Sequence, residues 1–288
     1  MVIEKLNNKN TEYFNALLDE ARRKTKFRVD FYRYYDNKAF LFKYFVKKLV
    51  KLIKLHDEYI GYIWVEVPST SSIRISDMYI KEEYLKYFNE NLPLILKSNL
   101  VIYEGLEDEY QLAMVSKLKM SRIRLTQLMK LNNSIEIHKR RSNAVFLPYE
   151  KKRDAKLRCM IQNAIFKDDS RTPLSIEDIE YDEKQDYYIN ELCTFIKVDS
   201  KIIGYGQIIF NRGIYSLVNF GIIDKYRAQG YGEDLIIKLI EMAKNYGIDE
   251  LYIRVDYNNL PAKRLYTNVG FEEIGNFSTW IWAQELLK

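Results

Sequence analysis

Histidine, cysteine, proline and glycine are all scarce in this chain. Its 288 residues hold two histidines, His56 and His138, and two cysteines, Cys159 and Cys193. Two cysteines cannot build a disulfide framework or a four-thiolate zinc site. Two histidines are too few for most His-based metal or relay sites, so no metal is expected. Five prolines and 11 glycines exclude collagen-like and proline-rich linker classes. The apolar runs are short and broken by lysine, which excludes a transmembrane helix and leaves no membrane partner expected. The first ten residues, MVIEKLNNKN, lack the apolar segment of a signal peptide, so a cytoplasmic, reducing location is the default expectation. What is present is the composition of a folded protein, 47% hydrophobic and 30% charged. The length suits two domains of roughly 100 to 200 residues each.

The net charge of +5 is uneven. Residues 1–140 carry 25 Lys and Arg against 18 Asp and Glu, a net of +7; residues 141–288 carry 20 against 22, a net of −2. A basic half can signal nucleic-acid affinity. Here the basic residues are interspersed with acids, the pattern of a solvated surface, and no nucleic-acid partner is expected.

Two stretches read alike. Lys51 to Ile80 and Thr194 to Ile223 align with a constant offset of 143 residues, matching Ile60-Gly61-Tyr62 to Ile203-Gly204-Tyr205 and Ile80 to Ile223. A constant offset argues for one supersecondary unit used twice. Each copy reads as an antiparallel meander, with turns at His56-Asp57-Glu58 and Asp199-Ser200-Lys201. Helical periodicity follows at Leu85 to Leu96 and at Leu235 to Tyr246. A short strand comes next, at Leu100 to Tyr103 and at Leu251 to Arg254. A second helix spans Glu109 to Met120 in one copy and Leu260 to Asn268 in the other. A strand then closes each copy, Arg122 to Leu131 and Phe271 to Trp282. Each half also opens with a strand and helices: Val2 to Leu6, Thr11 to Arg23 and Phe31 to Lys48 in the first; Ala144 to Pro148, Lys151 to Phe166 and Ser175 to Tyr187 in the second. The expected fold is α+β, as two tandem domains of one ancestry, residues 1–133 and 134–288. Each is a mixed, mostly antiparallel twisted sheet flanked by helices.

The copies differ at one informative place. After the strand ending at Ile223 the second copy reads Asp224-Lys225-Tyr226-Arg227-Ala228-Gln229-Gly230-Tyr231-Gly232-Glu233-Asp234-Leu235. Two glycines at a strand-to-helix junction let the backbone approach a ligand closely. The amides of the first helical turn and the helix dipole then form an anion site suited to a pyrophosphate. Arg227 adds positive charge at its edge. The first copy has Glu82-Glu83-Tyr84-Leu85-Lys86-Tyr87-Phe88-Asn89 there, without glycine, and no phosphate site is expected in it.

The segment Arg227 to Gly232 fits Arg/Gln-x-x-Gly-x-Gly/Ala. Downstream, Asn259 to Phe271 fits Asn-x-x-Ala-x-x-Leu-Tyr-x-x-x-Gly-Phe. In this order, with a strand at Leu251–Val255 between them, both motifs resemble the GNAT (GCN5-related N-acetyltransferase) superfamily over roughly residues 144–288. The whole resembles a tandem arrangement with a degenerate N-terminal copy. The resemblance implies acetyl-CoA as cosubstrate, its pantetheine arm pairing with the backbone of Phe220, Gly221 and Ile222 in a V-shaped opening between strands. It places the pyrophosphate on the amides of Arg227, Ala228, Gln229, Gly230, Tyr231 and Gly232. Asn259 would bond the arm or its adenylate end. Tyr266 would protonate the departing thiolate, a role that suits a phenol still protonated at pH 7.

The general base is left open among Tyr205, Asn219 (through a held water), Asp256 and Tyr257. Glu233, close to the expected phosphates, runs against the pattern. Cys193 reads as a small core residue. The acidic stretch Asp168 to Asp186 reads either as a solvated helix face or as a rim attracting a cationic amine. Ser175 is placed as the cap of the helix that follows. The expected activity is transfer of acetyl from acetyl-CoA to a primary amine of a small molecule or peptide by direct attack. The rivals are an acyl-CoA sensor without catalysis and transfer of a longer acyl or aminoacyl group. The two halves are expected to pack as a pseudo-dimer.

Overall fold

The computed structural model describes residues 1–25, 27–66, 72–88, 96–132, 142–168 and 171–283. His138, Asn89, Asp169 and the segment after Asn132 where the sequence places the boundary lie outside them. The chain divides into two compact units, Met1–Leu128 with Ile274–Lys288, and Met129–Glu273.

In the first unit β1 (Val2–Lys5), β2 (Val50–Leu55), β3 (Glu58–Val65) and β4 (Ile73–Ile80) form an antiparallel run. β5 (Leu100–Leu106) joins β4 in parallel through Ile73 to Ile75. Beside the sheet stand α1 (Thr11–Lys24), α2 (Phe31–Asp36), α3 (Phe40–Lys48) and α4 (Glu109–Lys117). α1 sends Phe14, Leu17, Leu18 and Ala21 inward, the i, i+3, i+4, i+7 stripe of an amphipathic helix, with the Phe14 ring 5.2 Å from that of Tyr62 on β3. Where the period at Leu85 to Leu96 predicts a helix, a short 3₁₀ helix spans Glu82–Tyr87, and residues 89–95 are outside the described residues.

β6 (Ser121–Asn132) contributes residues up to Leu128 to the first unit and Met129 onward to the second. In the second unit β7 (Val145–Pro148), β8 (Tyr188–Val198), β9 (Lys201–Asn211) and β10 (Ile214–Ile222) form the antiparallel run. β11 (Glu250–Asp256) joins β10 in parallel. The helices are α5 (Ala155–Ile165), α6 (Ile176–Glu183), α7 (Tyr231–Asn245) and α8 (Leu260–Asn268). The Ser175 hydroxyl accepts from the Asp178 amide while the Asp178 carboxylate accepts from the Ser175 amide, a complete capping box. α7 buries Leu235, Ile236, Leu239, Ile240 and Ala243 in a core that also holds Met129 and Leu131.

The strand β12 (Glu272–Ala283), read from sequence as closing the second copy, pairs with β5 from Phe277–Leu106 to Ala283–Leu100. Its Trp280 and Trp282 belong to the core of the first unit. Local periodicity identifies such a strand but not its partner.

The repeat holds with one adjustment. The matched glycines Gly61 and Gly204 face Ile80 and Ile222 across their ladders, so Ile80 corresponds to Ile222 and not to Ile223. The shift is already present next to the turns, where Ile75 lies opposite Val65 and Leu217 opposite Ile208, so it comes from a connection one residue longer in the first copy. Each ladder then carries one bulge, β10 between Val218 and Gly221 with Asn219 at φ 50°, and the β3–β4 ladder between Trp64 and Val65, and the two leave the shift unchanged.

Candidate functional site

The bulge sets up an opening. β10 and β11 share a ladder only at Tyr215 to Leu217, opposite Leu251 to Ile253. Beyond it β10 runs on to Ile222 and β11 to Asp256 without pairing to each other. A cleft of about 810 Å³ lies here, bounded by Phe220, Gly221 and Ile222, by Arg227, Ala228, Gly230 and Gly232, and by α8. That volume falls within the ~300–1,000 Å³ of small-molecule sites.

The loop conformation explains its glycines. Gly230 caps α7 with φ 88°, and a side chain there would meet open space, so its need is conformational. Ala228 is also left-handed, at φ 57°. Gly232 is different: an added Cβ would lie 3.4 Å from Leu265 and project into the cleft wall. The amides of Tyr231 and Gly232 belong to a first turn, where a helix supplies no acceptor of its own. At Gly221 a Cβ would fall 2.2 Å from the Ile165 side chain, so glycine lets the end of α5 pack onto β10.

Arg227 is committed to holding this geometry. Its Nε donates to the Ile222 carbonyl at 2.8 Å and its Nη2 to the Ile165 carbonyl at 2.9 Å, while Nη1 pairs with Asp224. The guanidinium thereby ties loop, strand end and α5 together at the cleft margin, and the Ile222 carbonyl is already taken. Gln229 donates to the Lys225 carbonyl at 3.2 Å. Neither Gln229 nor Tyr231 is among the residues lining the cleft.

The second motif reads as the structure of α8. Asn259 caps the helix, its Oδ1 accepting from the Ala262 amide at 3.1 Å, and Pro261 suits the first turn. Leu265 reaches Gly232. Gly270, at φ 97°, ends the helix in the left-handed conformation, and Phe271 enters the core. Tyr266 is 6% exposed, lines the cleft, and stands 6.0 Å from the rings of both Phe220 and Phe271. Burial pushes its phenol above the ordinary value, which keeps it protonated at neutral pH.

Of the residues considered as general base, none lines the cleft. Tyr205 is fully buried and bonds Gln207 at 2.7 Å, and burial raises its phenol well above the usual range. Asp256 accepts from the Asn258 amide at 3.0 Å, and Tyr257 carries Lys263 4.3 Å over its ring. Sequence reasoning did not pick out Ile165, Phe166, Arg264 or Asn268, all of which line the cleft. Ile165 and Phe166 come from a segment over 50 residues upstream of β10's end, where no motif marks them. Arg264 and Asn268 lie inside the Asn259 to Phe271 pattern at its unspecified positions. Arg264 sets a positive charge in the same cleft as Glu233.

Three acids of the stretch, Asp178, Asp182 and Glu183, hold structural partners. Arg158, 1% exposed, pairs with Asp182 and lies 5.7, 5.6 and 5.2 Å from the rings of Tyr149, Tyr188 and Tyr205. Glu183 accepts from Tyr149, and Asp178 serves the capping box. Cys193 is 1% exposed, and burial raises its thiol, as befits a core residue. Among the described residues no group of three or more His, Cys, Asp and Glu is placed to hold a metal, and no helix is long and apolar enough to cross a membrane.

Residues 162–271 match the model of the Acetyltransferase (GNAT) family. Among curated proteins the chain is 33% identical over 87 residues to the uncharacterized N-acetyltransferase YobR of Bacillus subtilis, covering 30% of this chain and 32% of that one. It is 36% identical over 59 residues to the [ribosomal protein bS18]-alanine N-acetyltransferase of Haemophilus ducreyi, covering 20% and 41%. The matches thus span about a third to two fifths of these relatives' lengths. Among solved structures, a GCN5-related N-acetyltransferase from Sphaerobacter thermophilus superposes with a TM-score of 0.68 over 98% of this chain and 95% of that one, at 12% identity. A tandem GNAT protein from the clavulanic acid biosynthesis pathway superposes with a TM-score of 0.57 over 81% and 82%, at 9% identity. Residues 162–271 therefore match the GNAT family, and the chain has the mixed, mostly antiparallel α+β fold seen in these solved structures.

Proposed function

We propose that residues 129–273 transfer an acetyl group from acetyl-CoA to a primary amine of a small molecule or peptide, by direct attack and without an acyl-enzyme. The observation that carries this reading is the convergence on one cleft of diverging strands, a helix N-terminus and a buried tyrosine. The cradle fits a pyrophosphate, since Gly230 supplies the left-handed turn and Gly232 leaves the first-turn amides approachable. The edge of β10 at Phe220 and Gly221 is available for pairing with the pantetheine amides. Asn259 and Arg264 stand at the α8 side of the same opening.

Tyr266 holds a proton on its hydroxyl and delivers it to sulfur as thiolate charge develops. A phenol raised by burial does not lose that proton beforehand. The amine would be deprotonated through water, since Tyr205, Asn219, Asp256 and Tyr257 are not among the residues lining the cleft. That same fact favours, as a second reading, an acyl-CoA sensor without turnover. We also propose that the first half is kept as a pseudo-dimeric partner, on the strength of the repeat, and that the protein works in the cytoplasm.

The test follows free thiol released from acetyl-CoA across a panel of primary amines, with calorimetry of CoA alongside. Thiol release dependent on amine supports the transferase. Tight CoA binding with no turnover on any amine selects the sensor. A longer acyl group on a co-purified CoA, seen by mass spectrometry, would redirect the donor assignment.

A further inference from the structure

Helix α3 turns its apolar residues outward. The apolar stripe of a helix in a folded protein ordinarily faces the core. Here Phe40, Leu41, Phe42, Tyr44 and Phe45 are 62% to 89% exposed, and the helix's one buried residue is Val46. At about 100° per residue, Phe40, Tyr44, Leu41, Phe45 and Phe42 follow one another around a continuous arc of roughly 200°. Lys43 and Lys47 fall on the opposite arc, beside Val46. Lys43 Nζ lies 5.1 Å and Lys47 Nζ 5.7 Å from the Tyr35 ring. Lys48 sits within the apolar arc with its ammonium 3.9 Å over the Tyr44 ring. Lys38 covers Tyr34 at 4.4 Å. The polar heads therefore stand behind and around an aromatic face, the reverse of a solvated helix.

The surroundings are cationic. Asp36 pairs with Lys43 at 3.4 Å, and Lys47 donates to Asn8, a neutral partner, at 2.9 Å. Lys48, hydrogen-bonded to it, and to a smaller extent Lys5 hold the Tyr44 phenol below its ordinary value, and burial followed by the charges of Lys5 and Lys97 holds the Lys51 ammonium below its usual range.

We propose that α3 is an interfacial helix that lays its aromatic face into an anionic lipid surface. Phe, Leu and Tyr suit the boundary between headgroups and acyl chains, and lysines beside them reach lipid phosphates and carboxylates. A negatively charged leaflet attracts such a cluster within a Debye length. At nine residues α3 is too short to cross a bilayer and would lie along its surface. A second copy of this chain fits the face less well, because two-fold pairing would oppose Lys48 and its neighbours to their own copies.

The test is vesicle flotation of the full chain, comparing phosphatidylcholine alone with equal parts phosphatidylcholine and phosphatidylserine. Binding is expected on the anionic vesicles only, and it should weaken as salt rises. Phe40→Ser with Phe45→Ser should abolish it while leaving the circular dichroism spectrum unchanged, as both side chains are solvent-exposed. Lys47→Gln and Lys48→Gln should each weaken it by about fivefold. Three outcomes overturn the proposal: no flotation with anionic vesicles at low salt; equal flotation of the double serine variant; or a dimer in solution that the double variant dissolves, which would make a second copy the occupant. Absent flotation together with α3-dependent binding of polyglutamate would assign the face to an acidic protein.

Discussion

The two halves splay their sheets at the same point and fill the gap differently. In both, the parallel ladder lasts three residues, Ile73 to Ile75 in one and Tyr215 to Leu217 in the other. In the second half a cleft of about 810 Å³ follows. In the first half the chain's own side chains take the backbone groups that this cleft would expose. Arg28 donates to the Met78 carbonyl at 2.9 Å and pairs with Asp77 at 2.9 Å, and Tyr62 also donates to Asp77. The Tyr110 hydroxyl accepts from the Ile80 amide at 2.9 Å and donates to the Ile80 carbonyl at 2.8 Å. Ile80 is the counterpart of Ile222. Tyr103 completes the filling, bonded to Gln111 at 2.6 Å and stacked on Trp280 at 5.7 Å. The first half thus fills this space with a polar core, whereas the second leaves a cleft in which Arg227 takes the Ile222 carbonyl.

The comparison can be broken most severely by cutting the chain between the repeats. A fragment of residues 141–288 lacks Met129 and Leu131 from the core around α7, and it strands Trp280 and Trp282 without the core they belong to. It should be insoluble or unfolded by circular dichroism; a soluble, active monomer would show that the halves are independent. Next in size, Gly232→Val should drive acetyl-CoA binding below calorimetric detection, because the side chain meets Leu265 and covers the first-turn amides. The wild type should bind one acetyl-CoA per chain, and a second equivalent would mean that the first half also holds one. Tyr266→Phe should lower kcat by about 10²- to 10⁴-fold with little change in KM for acetyl-CoA, since the proton matters only as thiolate charge appears. Wild-type turnover would leave Tyr266 as a packing residue. Asp77→Ala should cost about 3–5 kcal/mol in urea unfolding, by stranding the buried Arg28 charge. Its affinity for acetyl-CoA per folded molecule should be unchanged; a fall would mean that the first half shapes the donor site.

What was legible in the sequence was local. The Ser175 cap, the helix from Leu260 to Asn268, the glycine turn and the meanders each follow from neighbouring residues, and each stands where the pattern puts it. Strand partnership was not legible, because the Phe271 to Trp282 period says which face is apolar and nothing about which edge it meets. The cleft was half legible. Gly230, Gly232, Asn259 and Tyr266 carry motif spacing, whereas Ile165 and Phe166 reach it through the contact that Gly221 permits. Arg227 was read as a charge at the phosphate edge, but its three donor groups show it bracing the loop, a use that only the carbonyl positions reveal.

The pairing of β12 with β5 also orders events in time. Ser278 bonds Glu107 across 171 residues of sequence. At a synthesis rate of about 5–20 residues per second, β5 emerges from the ribosome roughly 10 to 30 s before the strand that covers it. During that interval Tyr103 has no Trp280 to stack on, and the edge of β5 offers its amides and carbonyls to any extended chain nearby. A nascent first half therefore waits, open-edged, for the completion of the second, and translation pauses after residue 128 should raise its demand for chaperones more than pauses after residue 283.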